Sequence, residues 1–244
     1  MSKLYVVGFG PGDYEHMTHK ACEAIMAADV VMGYTAYIQM LEEIFPEKYY
    51  LSTPMRKEQE RCEMALKEAA SGKNVAMVSS GDSGIYGMAG IILQLAKKEC
   101  YDVDIEVIPG VTAASAAAAV LGAPLMHDFA VISLSDLMTP LEKIMKRVEC
   151  AAMADFVICL YNPKSRKRTE YIKMAAEIVA KYQGEALCAG IVRNAGRPSQ
   201  THTLTTVGEL SRAEIDMFSI VIIGNSQTYI EDGKMITPRG YEYK

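Results

Sequence analysis

The stretch MSKLYVVGFGPGD, residues 1–13, decides the fold class. An apolar run at residues 4–7 leads directly into a turn that carries Gly8, Gly10 and Gly12. A short apolar run that ends in glycines predicts a buried strand followed by a tight turn. Open α/β sheets bind their ligands at the carboxyl ends of such strands, so this turn is a candidate binding loop.

The turn does not match the dinucleotide-binding fingerprint, although it resembles it at first sight. That fingerprint, G-x-G-x-x-G, needs a third glycine at position 13, where this chain has Asp13. Pro11 adds a rigid φ angle, and the next helical pattern begins only near Thr18. A pyrophosphate would meet the carboxylate of Asp13 instead of a bare helix N-terminus. The sequence therefore argues against a dehydrogenase.

Beyond the opening turn, strand and helix patterns alternate along the chain. Strands that are flanked by helices of about ten or more residues predict an α/β fold, with a mainly parallel sheet in the first half. After residue 186 strands follow one another with short turns, which predicts antiparallel additions to a mixed sheet. Gly122 and Pro124 interrupt the pattern, so we expect two α/β domains, 1–123 and 124–244. The predicted strands are 4–7, 29–32, 74–79, 104–108, 129–134, 156–160, 186–192, 202–207 and 219–224, and the predicted helices are 18–28, 56–70, 87–98, 112–121, 140–153 and 165–181.

Three further loops lie at the predicted carboxyl ends of strands. They are SSGDSGIYG at 79–87, PGVTAAS at 109–115 and LYNPKSRKR at 160–168. Small residues in such loops let a ligand approach backbone N–H and C=O groups. Together with the opening turn, these loops from two domains predict one shared binding cleft.

Composition narrows the classes of function. The net charge is −5 and the chain has no tryptophan, which argues against a nucleic-acid-binding surface. The six cysteines have no metal-ligand spacing, so we expect free and mostly buried thiols and no metal site. Neither a signal peptide nor an apolar run of about 20 residues is present, so we expect a cytoplasmic protein without membrane contact.

Several motifs carry a family resemblance that covers essentially the whole chain. GFGPGD, SSGDSGIYGMA, EVIPGVTAASAAAAVLGAPL and AGIVRNAG resemble the tetrapyrrole (uroporphyrin-III C/precorrin) methyltransferases. GYTAYI, LGAPLMHDFAVISLSDLMTP and CLYNPKSRKR are similar to one branch, the precorrin-3B / cobalt-precorrin-3 C(17)-methyltransferases of cobalamin biosynthesis. One departure is that many relatives have GDP or GGDP where this chain has Gly81-Asp82-Ser83.

The resemblance implies a tetrapyrrole-methylase-like fold, a homodimer, and S-adenosylmethionine in the cleft between the two domains, with S-adenosylhomocysteine as product. It associates the N-terminal glycine loop, including Gly10, with the tetrapyrrole side of the cleft. The implied cofactor contacts are Pro11, Gly81, Asp82, Ser83, Ile85, Thr112, Ala113, Asn162, Arg193, Asn194 and Ala195.

The residues themselves leave some roles open. Asp82 can form a plain turn or shape the backbone at the cofactor. Thr112 can be a helix N-cap or a ligand contact. The basic run at 164–168 stands at a predicted helix start, where the macrodipole disfavours it. It is either a solvated face or a site for substrate carboxylates, with Lys164, Arg166, Arg168 and Arg197 as candidate substrate-binding residues.

The implied reaction is methylation of carbon 17 of a precorrin-3-type macrocycle, with or without cobalt, together with contraction of the ring. Contraction needs proton movements, for which Asp13 and His127 are the candidates; His127 stands beside Asp128. Two alternatives remain open: a methyltransferase of the same fold that acts on another tetrapyrrole or on ribosomal RNA, and a non-catalytic nucleotide- or anion-binding module.

Overall fold

The computed structural model describes residues 2–165 and 167–241. Contacts divide the chain into two compact units, one up to Ala113 and one from Ala114 onwards. Both units contain a sheet with flanking helices, so the predicted α/β class is confirmed. Within the described residues, no helix is both long and apolar enough to cross a membrane.

The first unit is built on a five-stranded, fully parallel sheet in the order β3-β2-β4-β1-β5. The predicted parallel sheet is therefore confirmed. Its elements are β1 (Lys3–Gly8), α1 (His19–Ala27), β2 (Val30–Tyr34), α2 (Thr35–Ile44), β3 (Tyr50–Thr53), α3 (Glu58–Ala70), β4 (Val75–Ser79), α4 (Ala89–Lys98) and β5 (Asp104–Ile108).

Alternation along β1 explains why this sheet has helices on both faces. Leu4 and Val6 lie in a core formed with α3 and α4, whereas Val7 lies in a core formed with α1 and α2. Successive strand side chains point to opposite faces, so an unbroken apolar run needs a cover on each side. The central strands β2, β4 and β1 are therefore buried between two helical layers.

The segment between β2 and α3 differs from the sequence-based prediction, which gave no element there. The structure has α2 directly after β2, and then β3 as an edge strand. Only Thr53 of the four β3 residues is buried, so an apolar pattern is hardly visible in this strand. An edge strand with one buried residue gives too weak a periodicity to be recognised.

The second unit contains a mixed sheet in the order β10-β9-β11-β8-β7. β7 and β8 are parallel, and β11 and β10 are antiparallel to their neighbours, which confirms the predicted antiparallel additions. A second, three-stranded sheet in the order β12-β13-β6 was not predicted. The elements are α5 (Ala113–Leu121), β6 (Gly122–Ala123), β7 (Phe129–Ser133), α6 (Leu141–Met153), β8 (Val157–Tyr161), α7 (Tyr171–Gln183), β9 (Cys188–Arg193), β10 (Thr201–Thr206), β11 (Ser219–Ile223), β12 (Tyr229–Glu231) and β13 (Lys234–Ile236).

The division between the units lies ten residues before the domain boundary that the sequence suggests at 123/124. The reason is the position of α5, which belongs with the second unit. The N–H of Ala114 donates to the hydroxyl of Tyr161 at 2.8 Å, and the Leu121 side chain occupies the space that a Cβ at Gly190 would need. The alanine-rich helix thus lies against the end of β8 and the middle of β9.

The cysteines are free, as expected, but they are not all buried. Cys22, Cys62 and Cys159 are buried, Cys188 is half-buried, and Cys100 and Cys150 are exposed. The expectation of burial is therefore wrong for the last two. Both lie at or near helix ends that face solvent, a position that helical periodicity alone does not reveal.

Candidate active site

Three loops meet at the carboxyl edge of the first sheet because β4, β1 and β5 are neighbours. The N–H of Phe9 donates to Ser79 O at 3.0 Å, so the chain after β1 continues to pair with β4. Gly10 and Gly81 then exchange two hydrogen bonds, with N···O distances of 3.1 and 2.7 Å. The turn after β1 and the turn after β4 are therefore joined through their backbones.

Glycines allow these backbones to approach closely. A Cβ at Gly8 would lie 2.7 Å from Gly81 O and 2.8 Å from Ser83 N. A Cβ at Gly110 would lie under 3.0 Å from the carbonyl oxygens of both Gly8 and Gly81. No side chain fits where such contacts are to backbone atoms, so the three loops form one continuous floor made of main chain. We call Gly8–Gly10, Gly81–Ser83 and Gly110 the glycine floor.

Asp82 fixes the shape of this floor. Its Oδ1 accepts hydrogen bonds from the N–H groups of Gly84 at 2.8 Å and Ile85 at 3.2 Å, as in an Asx turn. Its Oδ2 accepts from the N–H of Gly110 at 3.0 Å. One carboxylate therefore ties the loop after β4 to the loop after β5. The geometry thus shows the turn role and also a tie between two loops, and the role of Asp82 at the cofactor stays a prediction.

Ser83 is fully buried and its hydroxyl faces the sheet. Its Oγ lies 3.0 Å from Val6 O and 3.2 Å from Ile108 O, within hydrogen-bonding distance of β1 and β5. Ser83 thus braces the ends of β1 and β5, and its hydroxyl is directed into the sheet.

The other predicted contacts of the first unit surround the floor. Ile85 keeps 39% of its surface exposed, and Pro11 is buried. Gly81 adopts φ +71°, and the backbones of Thr112 and Ala113 lie 3.9 and 3.7 Å from the position of a Cβ there. The structure therefore brings Gly10, Gly81, Thr112 and Ala113 together at one edge of the sheet.

Asp13, a predicted catalytic residue, stands on the same loop as Gly10. Its Oδ1 accepts from the backbone N–H of His16 at 3.0 Å and contacts the ring Nδ1 of the same histidine. Both side chains are about half exposed to solvent. Asp13 and His16 therefore form an accessible acid–imidazole pair. The sequence did not predict this pair, since only His127 was a candidate among the histidines.

In the second unit, the carboxyl ends of β7, β8 and β9 lie at one edge of the mixed sheet. Asn162, directly after β8, adopts φ +51° and donates from Nδ2 to Ser133 Oγ at 3.0 Å. An asparagine tolerates this left-handed conformation better than other residues do. The predicted cofactor residue is therefore held against the end of β7.

The basic run 164–168 lies before α7, because that helix begins at Tyr171 and not at residue 165. The prediction that these cations open a helix is wrong, and the argument from the macrodipole falls with it. Arg166 lies outside the described residues. Lys164 is half-buried and Lys167 is exposed.

Arg168 is held by partners of its own unit. Its Nη1 donates to Ser135 Oγ at 2.9 Å and lies 3.5 Å from Asp136 Oδ1, and the side chain is only 14% exposed. Tyr171 donates its hydroxyl to Asp136 Oδ2 at 2.8 Å. This hydrogen bond, with a smaller contribution from Arg168, holds the pKa of Asp136 below its usual range. The solvated-face alternative therefore does not describe Arg168.

The stretch Arg193–Ala195 and Arg197 lie at and beyond the end of β9, in the turn before β10. Arg193 Nε lies 2.7 Å from Asp216 Oδ2. Asn194 adopts φ +51°, and its side chain donates to Ser199 Oγ at 2.9 Å. Since β8 and β9 point in the same direction, these residues share a sheet edge with Asn162.

His127 lies at the other edge of that sheet. It precedes β7, and Asp128 O accepts the N–H of Val157 at the start of β8. His127 and Asp128 line a shallow cavity of about 220 Å³ together with Asp155 and Asn225. The structure therefore does not bring His127 together with Asn162 or Arg193.

Comparison with known proteins gives a consistent result. Residues 3–211 match the family model of tetrapyrrole (corrin/porphyrin) methylases. The chain is 49% identical over 238 residues to a probable cobalt-factor III C(17)-methyltransferase of Salmonella typhimurium, covering 98% of this chain and 99% of that one. It is 40% identical over 246 residues to a precorrin-3B C(17)-methyltransferase of Sinorhizobium sp., covering 98% and 96%.

A solved structure agrees with these sequence matches. The crystal structure of the methyltransferase CobJ superposes with a TM-score of 0.90 at 32% identity, covering 98% of this chain and 100% of that one. The glycine floor lies inside the matched residues, as do the ends of β8 and β9. This chain belongs to the tetrapyrrole (corrin/porphyrin) methylase family.

Proposed function

We propose that the chain is an S-adenosylmethionine-dependent C-methyltransferase that methylates carbon 17 of a precorrin-3-type macrocycle, with ring contraction, in cobalamin biosynthesis. Full-length relatives that carry this activity in their names support the assignment. The observation that carries it is the glycine floor, a backbone surface at the carboxyl edge of a parallel sheet. Such an edge is where ligands of α/β proteins bind.

Bound S-adenosylmethionine supplies an activated methyl group on a sulfonium. The residues fit this donor, because the floor and the start of α5 offer backbone groups and small side chains where Gly81, Thr112 and Ala113 approach within 4 Å. Gly81, Ile85, Thr112 and Ala113 would hold the donor, with Pro11 beside them. In the second unit, Asn162 and Arg193–Ala195 are the corresponding proposals.

The task of the floor in the reaction is positioning. In-line displacement at carbon needs the two reacting atoms aligned and water excluded, which a rigid site achieves without a nucleophilic side chain. Asp82 and Ser83 serve this rigidity through their bonds to Gly110, Val6 and Ile108. We therefore propose that Asp82 and Ser83 maintain the shape of the site and that their side chains do not contact the methyl donor.

Substrate carboxylates require cations at the site that can bind them. Arg168 already has Ser135 and Asp136 as partners, so we propose that it fixes the loop 162–168 and adds one remaining donor to the substrate. Lys164 and Arg197 are the further proposed substrate contacts, and Gly10 contributes from the loop after β1. A desolvated arginine–carboxylate pair is stronger than an exposed one.

Proton transfer during ring contraction is best served by Asp13. It stands three residues after Gly10, and His16 gives it a partner through which a proton can move. His127 is the second proposal, although it stands at the sheet edge remote from Asn162. In an Asp13→Asn variant we expect the rate of ring contraction to fall more than the rate of methyl transfer. An equal fall of both rates would argue against this role.

Calorimetric titration with S-adenosylhomocysteine tests the donor site. Leucine at Ala113 would fill the space beside Gly81, so Ala113→Leu should lower affinity at least tenfold. Ala119→Leu is the matched control, because Ala119 lies on an exposed face of the same helix. Unchanged affinity in Ala113→Leu would refute the position of the site. Failure of the wild type to methylate a precorrin-3-type macrocycle, both with and without cobalt, would refute the function itself.

We further propose that the protein is a cytoplasmic homodimer, on the ground of the family resemblance. Light scattering at micromolar concentration should give the mass of two chains. A single-chain mass would refute the dimer.

A further inference from the structure

Arg61, in the first turns of α3, is a buried cation without a counter-ion. The residue is 2% exposed, and its Nε has no hydrogen-bond partner. Among the residues that the structure describes, no carboxylate forms an ion pair with its guanidinium. Glu58, one turn earlier on the same helix, accepts a hydrogen bond from the backbone N–H of Arg56 at 3.1 Å.

Such an arrangement is unfavourable unless something pairs with the charge. Moving a cation out of water is costly, and a lone aromatic contact recovers only a small part of that cost. The aromatic contact here is Tyr34, whose ring centroid lies 6.0 Å from Arg61 Cζ. Burial lowers the pKa of Arg61, with Glu58 opposing the shift, but a guanidinium stays protonated at neutral pH.

A second unpartnered polar atom belongs to the same neighbourhood. Thr53 is 5% exposed, and its Oγ1 has no hydrogen-bond partner. Thr53 is the register partner of Tyr34 across β2 and β3, so the hydroxyl and the guanidinium flank the same tyrosine. The Nε of a buried cation and a buried hydroxyl, both without a hydrogen-bond partner, are donors that a carboxylate would satisfy.

The position relates this pair to the glycine floor. Tyr34 and Thr53 end β2 and β3, and all five strands are parallel, so Arg61 stands at the same sheet edge as the floor. The floor follows β4, β1 and β5, which places Arg61 to one side of it by about one to three strand spacings of ~4.8 Å. A small ligand bound on the floor would not extend that far, but a macrocycle with peripheral side chains would.

We propose that Arg61 and Thr53 form a subsite for one side-chain carboxylate of the macrocycle, which takes the place of Tyr34 as the partner of the guanidinium. The inference rests on the proposed function, since it assigns a position to part of that substrate. For the carboxylate to reach Nε, the half-buried Tyr34 ring has to turn away from Arg61.

The test uses uroporphyrin, a stable tetrapyrrole with acetate and propionate side chains, as the binding probe. The comparison probe is the same macrocycle with every carboxylate converted to a carboxamide. Arg61→Met removes the charge and keeps an apolar side chain of similar length, and Lys67→Met removes one charge from an exposed position of the same helix. Binding of both probes and of S-adenosylhomocysteine is measured for each protein, together with the melting temperature.

We expect Arg61→Met to bind the acid at least tenfold more weakly than the wild type and the carboxamide equally well. Its affinity for S-adenosylhomocysteine should not change, and its melting temperature should be equal or higher, because an unpaired buried charge is gone. Lys67→Met should match the wild type throughout. Thr53→Val, which removes only the hydroxyl, should weaken binding of the acid by a smaller factor.

Two results would overturn the proposal. Equal binding of the acid by Arg61→Met and wild type would make Arg61 a structural residue. Weaker binding of S-adenosylhomocysteine with unchanged binding of the acid would assign the carboxylate to the methyl donor instead. If the wild type binds neither macrocycle, the proposed function fails, which is a separate outcome.

Discussion

Replacement of Gly110 by alanine should disrupt the first unit even though only one methyl group is added. The new Cβ would lie 2.6 Å from the carbonyl carbon of Gly8, and closer still to two carbonyl oxygens, all of them backbone atoms. Ordinary contact begins at 3.4 Å, so the chain after β5 has to move by about 0.8 Å or more. The N–H of Gly110 would then leave Asp82 Oδ2.

The magnitude follows from these two effects. Overpacking against a rigid neighbour costs about 1–3 kcal/mol, and loss of a hydrogen bond to a carboxylate costs about 1.5–3 kcal/mol. We expect a loss of about 3 kcal/mol or more in the free energy of unfolding of the first unit. With an m-value of about 2 kcal/mol/M, the urea midpoint should fall by about 1.5 M.

Amide hydrogen exchange in β1 and β5, measured at increasing urea concentration, reads the first unit on its own. Gly90→Ala is the matched control, because a Cβ at Gly90 meets nothing within 4 Å and alanine favours a helix. The control should unfold at equal or higher urea concentration, and it should bind S-adenosylhomocysteine as the wild type does. If Gly110→Ala unfolds at the same urea concentration as Gly90→Ala, the three loops do not approach each other as closely as described.

Three further predictions concern single groups. In Asp82→Asn, the amide NH₂ faces one of the backbone N–H groups from which the carboxylate now accepts a hydrogen bond. The free energy of unfolding should therefore fall by about 1.5–3 kcal/mol. A melting temperature equal to that of the wild type would contradict the hydrogen bonds described. Hydrogen bonds from Lys20 and Lys3 lower the pKa of Glu106 to about 2 from 4.5, so its contribution to stability is present above pH 4.5 and is lost as the pH falls toward 2. Glu106→Gln should therefore show a flatter pH dependence of unfolding in that range, and an identical curve would count against the ion pairs. Burial raises the pKa of Cys62 and Cys159 to about 12, so iodoacetamide at pH 8 should modify Cys100 and Cys150 first, as mass spectrometry of peptides will show.

Most of the fold could be predicted because its core elements have strong periodicity. The strand at residues 4–7 and the helix capped by Thr18 are found where the pattern places them; the Thr18 side chain accepts from the N–H of Ala21 at 3.1 Å. The strands that were missed, β3 and the sheet of β6, β12 and β13, have only two to four residues, and the ten-residue helix α2 was missed as well. Such strands depend on contacts with distant partners, which one sequence does not reveal.

The candidate site was predicted in part. Glycine loops at strand ends identified the edge of the sheet, because parallel strands place their carboxyl ends together. The roles of Asp82 and Ser83 depend on Gly110, Val6 and Ile108, which are distant in sequence, and could not be derived. Arg61 directly precedes the buried Cys62, but it lies in a charged amphipathic helix, where an arginine is expected to be exposed. The sequence therefore does not indicate that it is buried.

The position of β1 between β4 and β5 also has a consequence for how the chain folds during synthesis. Leu4 pairs in register with Val75, and Lys3 pairs with Asp104, so β1 is made before both of its neighbours and has to wait for them. At a synthesis rate of about 5–20 residues per second, β5 leaves the ribosome some 5–20 s after β1. Until β4 is made, β1 has no partner on either edge, and its edge toward β5 stays open for the whole interval. Open strand edges favour chaperone binding or aggregation. Folding of the first unit is therefore expected to be slow and late. A nascent chain that ends before Gly110 cannot form the glycine floor.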